Sequence, residues 1–259
     1  MMSLSATPCV ASVRTGYAAH HQLPIHPDVS PRESPIVAIY PPPDRHIRTR
    51  KVVTRSRARP TGKYPSWKMG RMIEWESSHE LNAVRLLDAD PAVSAFHEQP
   101  LEIHFKMDGE IRRHFPDLLV HHSGVVELWE IKPDIESLDD ETKHRSGILS
   151  AALPNHGYSY RVISGRDLTT GANLSNSLTI LRYGRAEIGP LEREQLRLHF
   201  KRAREIRWAQ VLDGSLGANG RRQICRLILE GVIEFDTRHF LSADTILKWT
   251  GNRRISAER

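Results

Sequence analysis

No stretch of the 259-residue sequence approaches the roughly 18 consecutive apolar residues of a bilayer-spanning helix, so a membrane span is not expected. Met1 to Ala19 lacks the charged start and unbroken apolar stretch of a secretory signal. The two cysteines, Cys9 and Cys225, sit in unrelated settings and offer neither a disulfide framework nor a metal pair. The expectation is a soluble protein of a reducing compartment. Aromatics make up 7% and apolar residues 39%, which is lean enough that some segment should add nothing to a core. The length still allows two modest domains. No GxxxxGK[ST] phosphate loop occurs, so an ATPase is not expected.

Acid is missing from one region altogether. From Arg45 to Arg71 there are ten Lys/Arg in 27 residues and no Asp or Glu. Within a chain of net charge +6, this run fits either a solvated basic tail or an arm laid along phosphates. On the second reading Arg48, Arg50, Lys51, Arg55, Arg57, Arg59, Lys63 and Lys68 contact DNA, and Tyr64 and Trp67 stack or pack. Residues 1–60 are rich in Pro, Ser, Thr and His and show no sustained period, so they read as a poorly ordered arm. Regular structure is expected from about Trp67.

Residues 73–89 read as a helix, with Ala83, Val84 and Leu87 at helical spacing and a stop at Asp88-Ala-Asp-Pro91. Three strands follow: Leu101 to Lys106, Ile111 to Val120 after an Asp108-Gly109 turn, and Val125 to Lys132. Ser137 to Leu153 reads as a helix opened by Asp139 or Ser137, and Tyr158 to Ser164 as another strand. That order predicts a mixed α/β domain over residues 61–180. Residues 181–259 differ: a long basic helix from Leu191 to Leu212, a second from Arg221 to Glu230 capped by Gly231, then a short hairpin. This resembles a winged-helix module.

Chemistry concentrates in three places. Phe115-Pro116-Asp117 precedes an apolar strand, and Glu130-Ile131-Lys132 ends the third one. A period of two puts Glu130 and Lys132 on the face of Val126 and Leu128, where charges need partners or a metal. On the predicted helix Glu80 falls in the apolar stripe, with Glu76 as its rival one turn earlier. Phosphodiester hydrolysis needs a nucleophilic water and a clamp on the phosphate. Mg²⁺ supplies the clamp from one or two carboxylates, and Mn²⁺ is expected to substitute. Asp117 and Glu130 are the expected ligands and Glu80 a third, with Ile131 included in the metal set; Lys132 would assist the attacking water. His97, His114, His121, His122 and His144 have no ligand spacing and read as surface or satisfied histidines.

Pro116-Asp117, twelve residues, then Glu130-x-Lys132 resembles the PD-(D/E)xK nuclease motif. Around it, Glu76-Ser-Ser-His-Glu80, Asp88-Ala-Asp-Pro-Ala-Val93, Phe96-His-Glu-Gln-Pro-Leu101, Arg113-His-Phe-Pro-Asp117 and Glu127-Leu-Trp-Glu-Ile-Lys-Pro133 resemble the catalytic domain of TnsA-type transposition endonucleases. The resemblance covers roughly residues 67–165. It implies a restriction-endonuclease-like sheet flanked by helices, with Glu80, Asp117, Glu130 and Lys132 as the catalytic set. It further implies cutting of double-stranded DNA at the 5′ ends of a mobile element, beside a TnsB-like DDE transposase and a TnsC-like AAA+ regulator. The setting implied is the bacterial cytoplasm, at the nucleoid during transposition. Two alternatives stand beside it: a stand-alone restriction or repair nuclease of the same fold, and a non-catalytic DNA-binding recruitment module, which the intact four-residue set disfavours.

Overall fold

A computed structural model of the chain describes residues 34–42, 49 and 60–251. In chain order these hold β1 (Ile36–Tyr40), β2 (Gly62–Ser66), β3 (Arg71–Trp75), α1 (Ser78–Ala89), β4 (Val93–Glu98), β5 (Glu102–Met107), β6 (Glu110–His114), β7 (Leu118–His122), β8 (Val125–Lys132), α2 (Asp140–Ala152), β9 (Ser159–Ser164), α3 (Gly165–Thr169) and α4 (Asn173–Gly184). Then come α5 (Pro190–Ala203), β10 (Glu205–Arg207), α6 (Trp208–Leu212), α7 (Gly220–Leu229), β11 (Ile233–Glu234) and β12 (Ile246–Trp249). The fold is mixed α/β.

The central sheet runs β4-β7-β8-β9; its first three strands are antiparallel neighbours and β9 joins parallel to β8. Strand alternation divides its side chains between two layers. Phe96, Leu118, Val120, Trp129 and Ile131 pack with Ala83, Val84 and Leu87 of α1. Leu119, Leu128 and Tyr160 turn the other way, onto Ile103 and Phe105 of β5 and Leu149 of α2. There β1-β5-β6 forms a second antiparallel sheet. The Asp108-Gly109 turn between β5 and β6 has positive φ at both residues (53° and 81°), the two-residue geometry that suits hairpin twist.

A third packing centre gathers Ile180 and Leu181 of α4 with Phe200, Trp208, Ile224, Leu227 and Leu247. α4 lies against α7 so closely that a Cβ on Gly184 would stand 2.7 Å from the Cys225 carbonyl carbon, which keeps this position a glycine. Its strands order as β10-β12-β11, all antiparallel. The expected boundary at residue 180 lies within α4.

Several expectations need correction. Residues 36–40, placed in a poorly ordered arm, form a strand: the Ile-Val-Ala-Ile-Tyr run adds to the edge of β5 before the prolines. Regular structure resumes at Gly62 rather than Trp67, because β2 and β3 pair as a hairpin. Residues 73–75 are therefore strand, and the helix begins at Ser78, after Ser77 caps it by accepting from Glu80 N. The predicted strand from Ile111 to Val120 is two strands of different sheets, parted at Phe115-Pro116-Asp117, where Pro116 has no N–H for a ladder. β4 was not foreseen. The predicted helix from Leu191 to Leu212 breaks at Arg204 (φ 63°), where the chain turns to pair β10 with β12. The other elements stand close to expectation: α2 is capped by Asp139, and α7 ends at Gly231 with φ 70°. No described helix is long and apolar enough to cross a membrane.

Candidate active site

Asp117 stands at the entry to β7, and Glu130 and Lys132 at the exit of β8, so the antiparallel pairing brings them to one end of the central sheet. Asp117 N donates to the Trp129 carbonyl at 2.9 Å, and Ile131 N donates to Asp117 Oδ2 at 2.6 Å. The Lys132 ammonium lies 2.7 Å from Glu130 Oε1. Arg145 of α2 approaches the same oxygen at 3.5 Å. Glu130 is buried, at 4% exposure, and its Oε2 makes no hydrogen bond among the described residues.

Burial raises the Asp117 carboxyl well above the ordinary aspartate range, and the charges of Glu130 and Glu80 raise it further, against the pull of Ile131 N and Lys132. The Glu80 carboxyl is also raised, chiefly by burial, with Glu76 and Glu130 adding to the effect and hydrogen bonds from Glu76 N and Ser77 opposing it. These acids thus feel one another.

Glu80 has a second occupation. Its Oε2 accepts from Glu76 N at 2.8 Å and its Oε1 from Ser77 Oγ at 3.0 Å, while Ser77 Oγ accepts from Glu80 N. This reciprocal arrangement caps α1. Glu76, the rival, is met by Gln99 Nε2 at 3.5 Å. Gln99 is buried with a positive φ of 41°, and its N–H donates to the Asp117 carbonyl at 2.8 Å. Thr49 in turn donates twice to the Gln99 carbonyl, from its N–H and its hydroxyl. Thr49, within the basic segment, is therefore tied to the chain beside Asp117.

Of the expected DNA contacts, Arg48, Arg50, Lys51, Arg55, Arg57 and Arg59 lie outside the described residues. Lys63 is half exposed on β2, 3.2 Å from Glu74. Lys68 needs correction. Its ammonium donates to the carbonyls of Leu87, Asp90 and Val93 and so closes the C-terminal end of α1, where unpaired carbonyls attract a cation. Burial pulls its pKa down to about 8. Tyr64 is buried and Trp67 half-buried, with the guanidiniums of Arg185 and Arg226 lying over their respective rings.

Reasoning from sequence missed His114. Expected to be a surface or satisfied histidine, it is buried at the end of β6, with Nε2 at 3.4 Å from Glu130 Oε2 and 3.1 Å from the Tyr160 hydroxyl. Burial lowers its pKa to about 4, despite the charge of Glu130. Its place three residues before Asp117, at the end of a strand that stops short of Pro116, was the available signal.

Among the described residues no three or more His, Cys, Asp or Glu groups form a ready metal-ligand cluster. The donor chemistry nonetheless fits a hard cation. Asp117 and Glu130 supply two carboxylates under mutual repulsion, and Glu130 Oε2 is a buried oxygen without a donor. Ile131 can join only through its carbonyl, since its side chain is apolar.

No protein-family model matches this chain, and no curated protein does. One solved structure it resembles is the crystal structure of protein VC1899 from Vibrio cholerae, at 10% identity and a TM-score of 0.24, over 39% of this chain and 31% of that one. This chain thus spans less than a third of that protein's length, and a likeness of that extent supports no conclusion about function.

Proposed function

We propose that this chain is a Mg²⁺-dependent DNA endonuclease, the subunit of a transposition machine that hydrolyses phosphodiester bonds at the 5′ ends of a mobile element. The observation that carries the reading is the meeting of Asp117, Glu130 and Lys132 at one end of the central sheet, with the Asp117 carboxyl raised first by burial and then by its acidic neighbours. The order of elements around them, a helix, antiparallel strands, a second helix and a parallel strand, suits a restriction-endonuclease-like core. The later order of helix, strand, two helices and two strands suits a winged-helix-like module for partners, here a TnsB-like transposase and a TnsC-like AAA+ regulator.

Asp117 and Glu130 would hold the cation, with the Ile131 carbonyl between them. When bound, Mg²⁺ or Mn²⁺ supplies the charge that neutralises the scissile phosphate and its leaving oxygen. Lys132 lies on Glu130 Oε1 and is 30% exposed, so its ammonium can turn to the attacking water or the phosphate. Glu80 adds negative charge from the end of α1, although its own oxygens are held by Ser77 and Glu76 N. The tie from Thr49 to Gln99 puts one residue of the basic run beside the site, which supports a role for that run against DNA phosphates.

The test is cleavage of mobile-element-end DNA with Mg²⁺, in the presence of a TnsB-like transposase and a TnsC-like ATPase. Asp117→Ala and Lys132→Ala should each lower the rate by roughly a hundredfold or more. Equal activity in all three proteins would remove the assignment. Efficient cutting of arbitrary duplexes without partners would favour a stand-alone nuclease.

A further inference from the structure

Glu130 is enclosed by groups of two kinds. Lys132 and Arg145 reach Oε1 with side chains that remain 30% and 23% exposed at their mobile ends. Oε2 faces a different environment: His114, 7% exposed, arrives from β6 in the second sheet, and behind it Tyr160, 5% exposed, comes from β9 to meet the imidazole. The register Leu128↔Tyr160 and Glu130↔Val162 puts Tyr160 on the Glu130 face one step back along the strand. Its hydroxyl lies 3.1 Å from His114 Nε2, the same nitrogen that stands 3.4 Å from Glu130 Oε2.

Once DNA is present, Lys132 and Arg145 have phosphate oxygens to compete for them, and long exposed side chains exchange partners at little cost. The imidazole and phenol have no such freedom, being rigid rings wedged between two sheets. They are the parts of the enclosure that persist when the cationic side chains move.

We propose that His114 and Tyr160 are positioning residues of this site: the buried pair fixes the orientation of the Glu130 carboxylate and, through it, the affinity of the site for a divalent cation. The inference rests on the metal-dependent reading proposed above. It adds that the second sheet, which carries none of the catalytic set, tunes that set through one histidine.

The test uses the full chain and Mn²⁺ alone, with free Mn²⁺ followed by electron paramagnetic resonance and unfolding midpoints measured in metal-free buffer. The variants are His114→Ala, His114→Gln, Tyr160→Phe and Asp117→Ala. His114→Ala should weaken Mn²⁺ binding about 10- to 100-fold. His114→Gln, whose amide nitrogen can take the place of Nε2, should recover most of that loss. Tyr160→Phe keeps the volume and removes only the hydroxyl, so it should weaken binding several-fold even if His114→Ala proves hard to fold. Mn²⁺ affinity within about twofold of wild type in both His114→Ala and Tyr160→Phe would overturn the proposal, as would a Gln variant no better than Ala. If wild type binds no Mn²⁺ and matches Asp117→Ala, the nuclease reading itself fails and this inference with it.

Discussion

Two inward-turned aspartates in this molecule are treated in opposite ways. Asp88, at the end of α1, is fully buried and surrounded by donors: the Tyr64 hydroxyl at 2.8 Å, the Ser66 hydroxyl at 2.5 Å, and the N–H groups of Trp67 and Lys68. Asp117 has one hydrogen bond to its carboxyl among the described residues, from Ile131 N, and acids on two sides. The first arrangement ties the β2–β3 hairpin to α1 and leaves no oxygen for a ligand. The second crowds carboxylates together, with Lys132 and the Ile131 N–H offsetting only part of their mutual repulsion. A carboxylate surrounded by donors serves the fold, whereas one surrounded by carboxylates would, on the proposed function, receive a cation.

The largest expected effect falls on the satisfied member. Asp88→Ala leaves several buried donors without an acceptor, and each such group costs about 1–3 kcal/mol. A loss of at least roughly 3 kcal/mol in chemical denaturation is predicted, with a matching drop in unfolding midpoint. Lys68→Met should follow at about 1–3 kcal/mol, through the loss of charge-assisted bonds to three carbonyls at the same helix end. DNA affinity in a gel-shift assay should be unchanged by Lys68→Met once stability is controlled; a clear loss would return Lys68 to the DNA surface.

Asp117→Asn should behave in the reverse sense. Removing a crowded charge should stabilise the metal-free protein by roughly 0.5–2 kcal/mol, the usual yield of relieving a functional strain, while cleavage falls by about a hundredfold or more. Its pH dependence sharpens the contrast. An acid whose pKa is raised in the folded state stabilises the protein fully when protonated, and that stability is lost as pH rises from about 4 toward neutrality. His114, lowered to about 4, contributes in the opposite direction, since stability falls as the pH drops below its ordinary range. The difference in unfolding free energy between wild type and Asp117→Asn isolates Asp117. It should grow with pH over that window; a constant difference would contradict the assigned cause.

What the sequence disclosed follows the range of the physics involved. Glu130, Lys132 and Asp117 came together as expected because strand alternation and one antiparallel pairing place them, and both are local. α2 with its Asp139 cap, the Asp108-Gly109 turn and the glycine stop after α7 were legible for the same reason. The β2–β3 hairpin was not: its first strand carries a proline and lies within the basic run, and the hairpin is tied down by Asp88 in another element. The break at Arg204 has no glycine or proline to announce it and is imposed by pairing of Ile206 with Leu247. Lys68 looked like one more cation in a run of ten; only the end of α1 reveals its three acceptors. His114 is the satisfied histidine that was one of its two expected readings, but its approach to Glu130 was hidden because the strand through Phe115-Pro116-Asp117 was read as continuous.

The most direct measurement is thermal unfolding of wild type and Asp117→Asn, each in EDTA and in Mg²⁺. The account predicts that the variant melts higher than wild type in EDTA, by a few degrees for a domain of this size, and that Mg²⁺ raises the midpoint of wild type alone. A variant that melts lower in EDTA, with both proteins answering Mg²⁺ alike, would show that Asp117 is a structural acid like Asp88 and not the seat of a metal-dependent reaction.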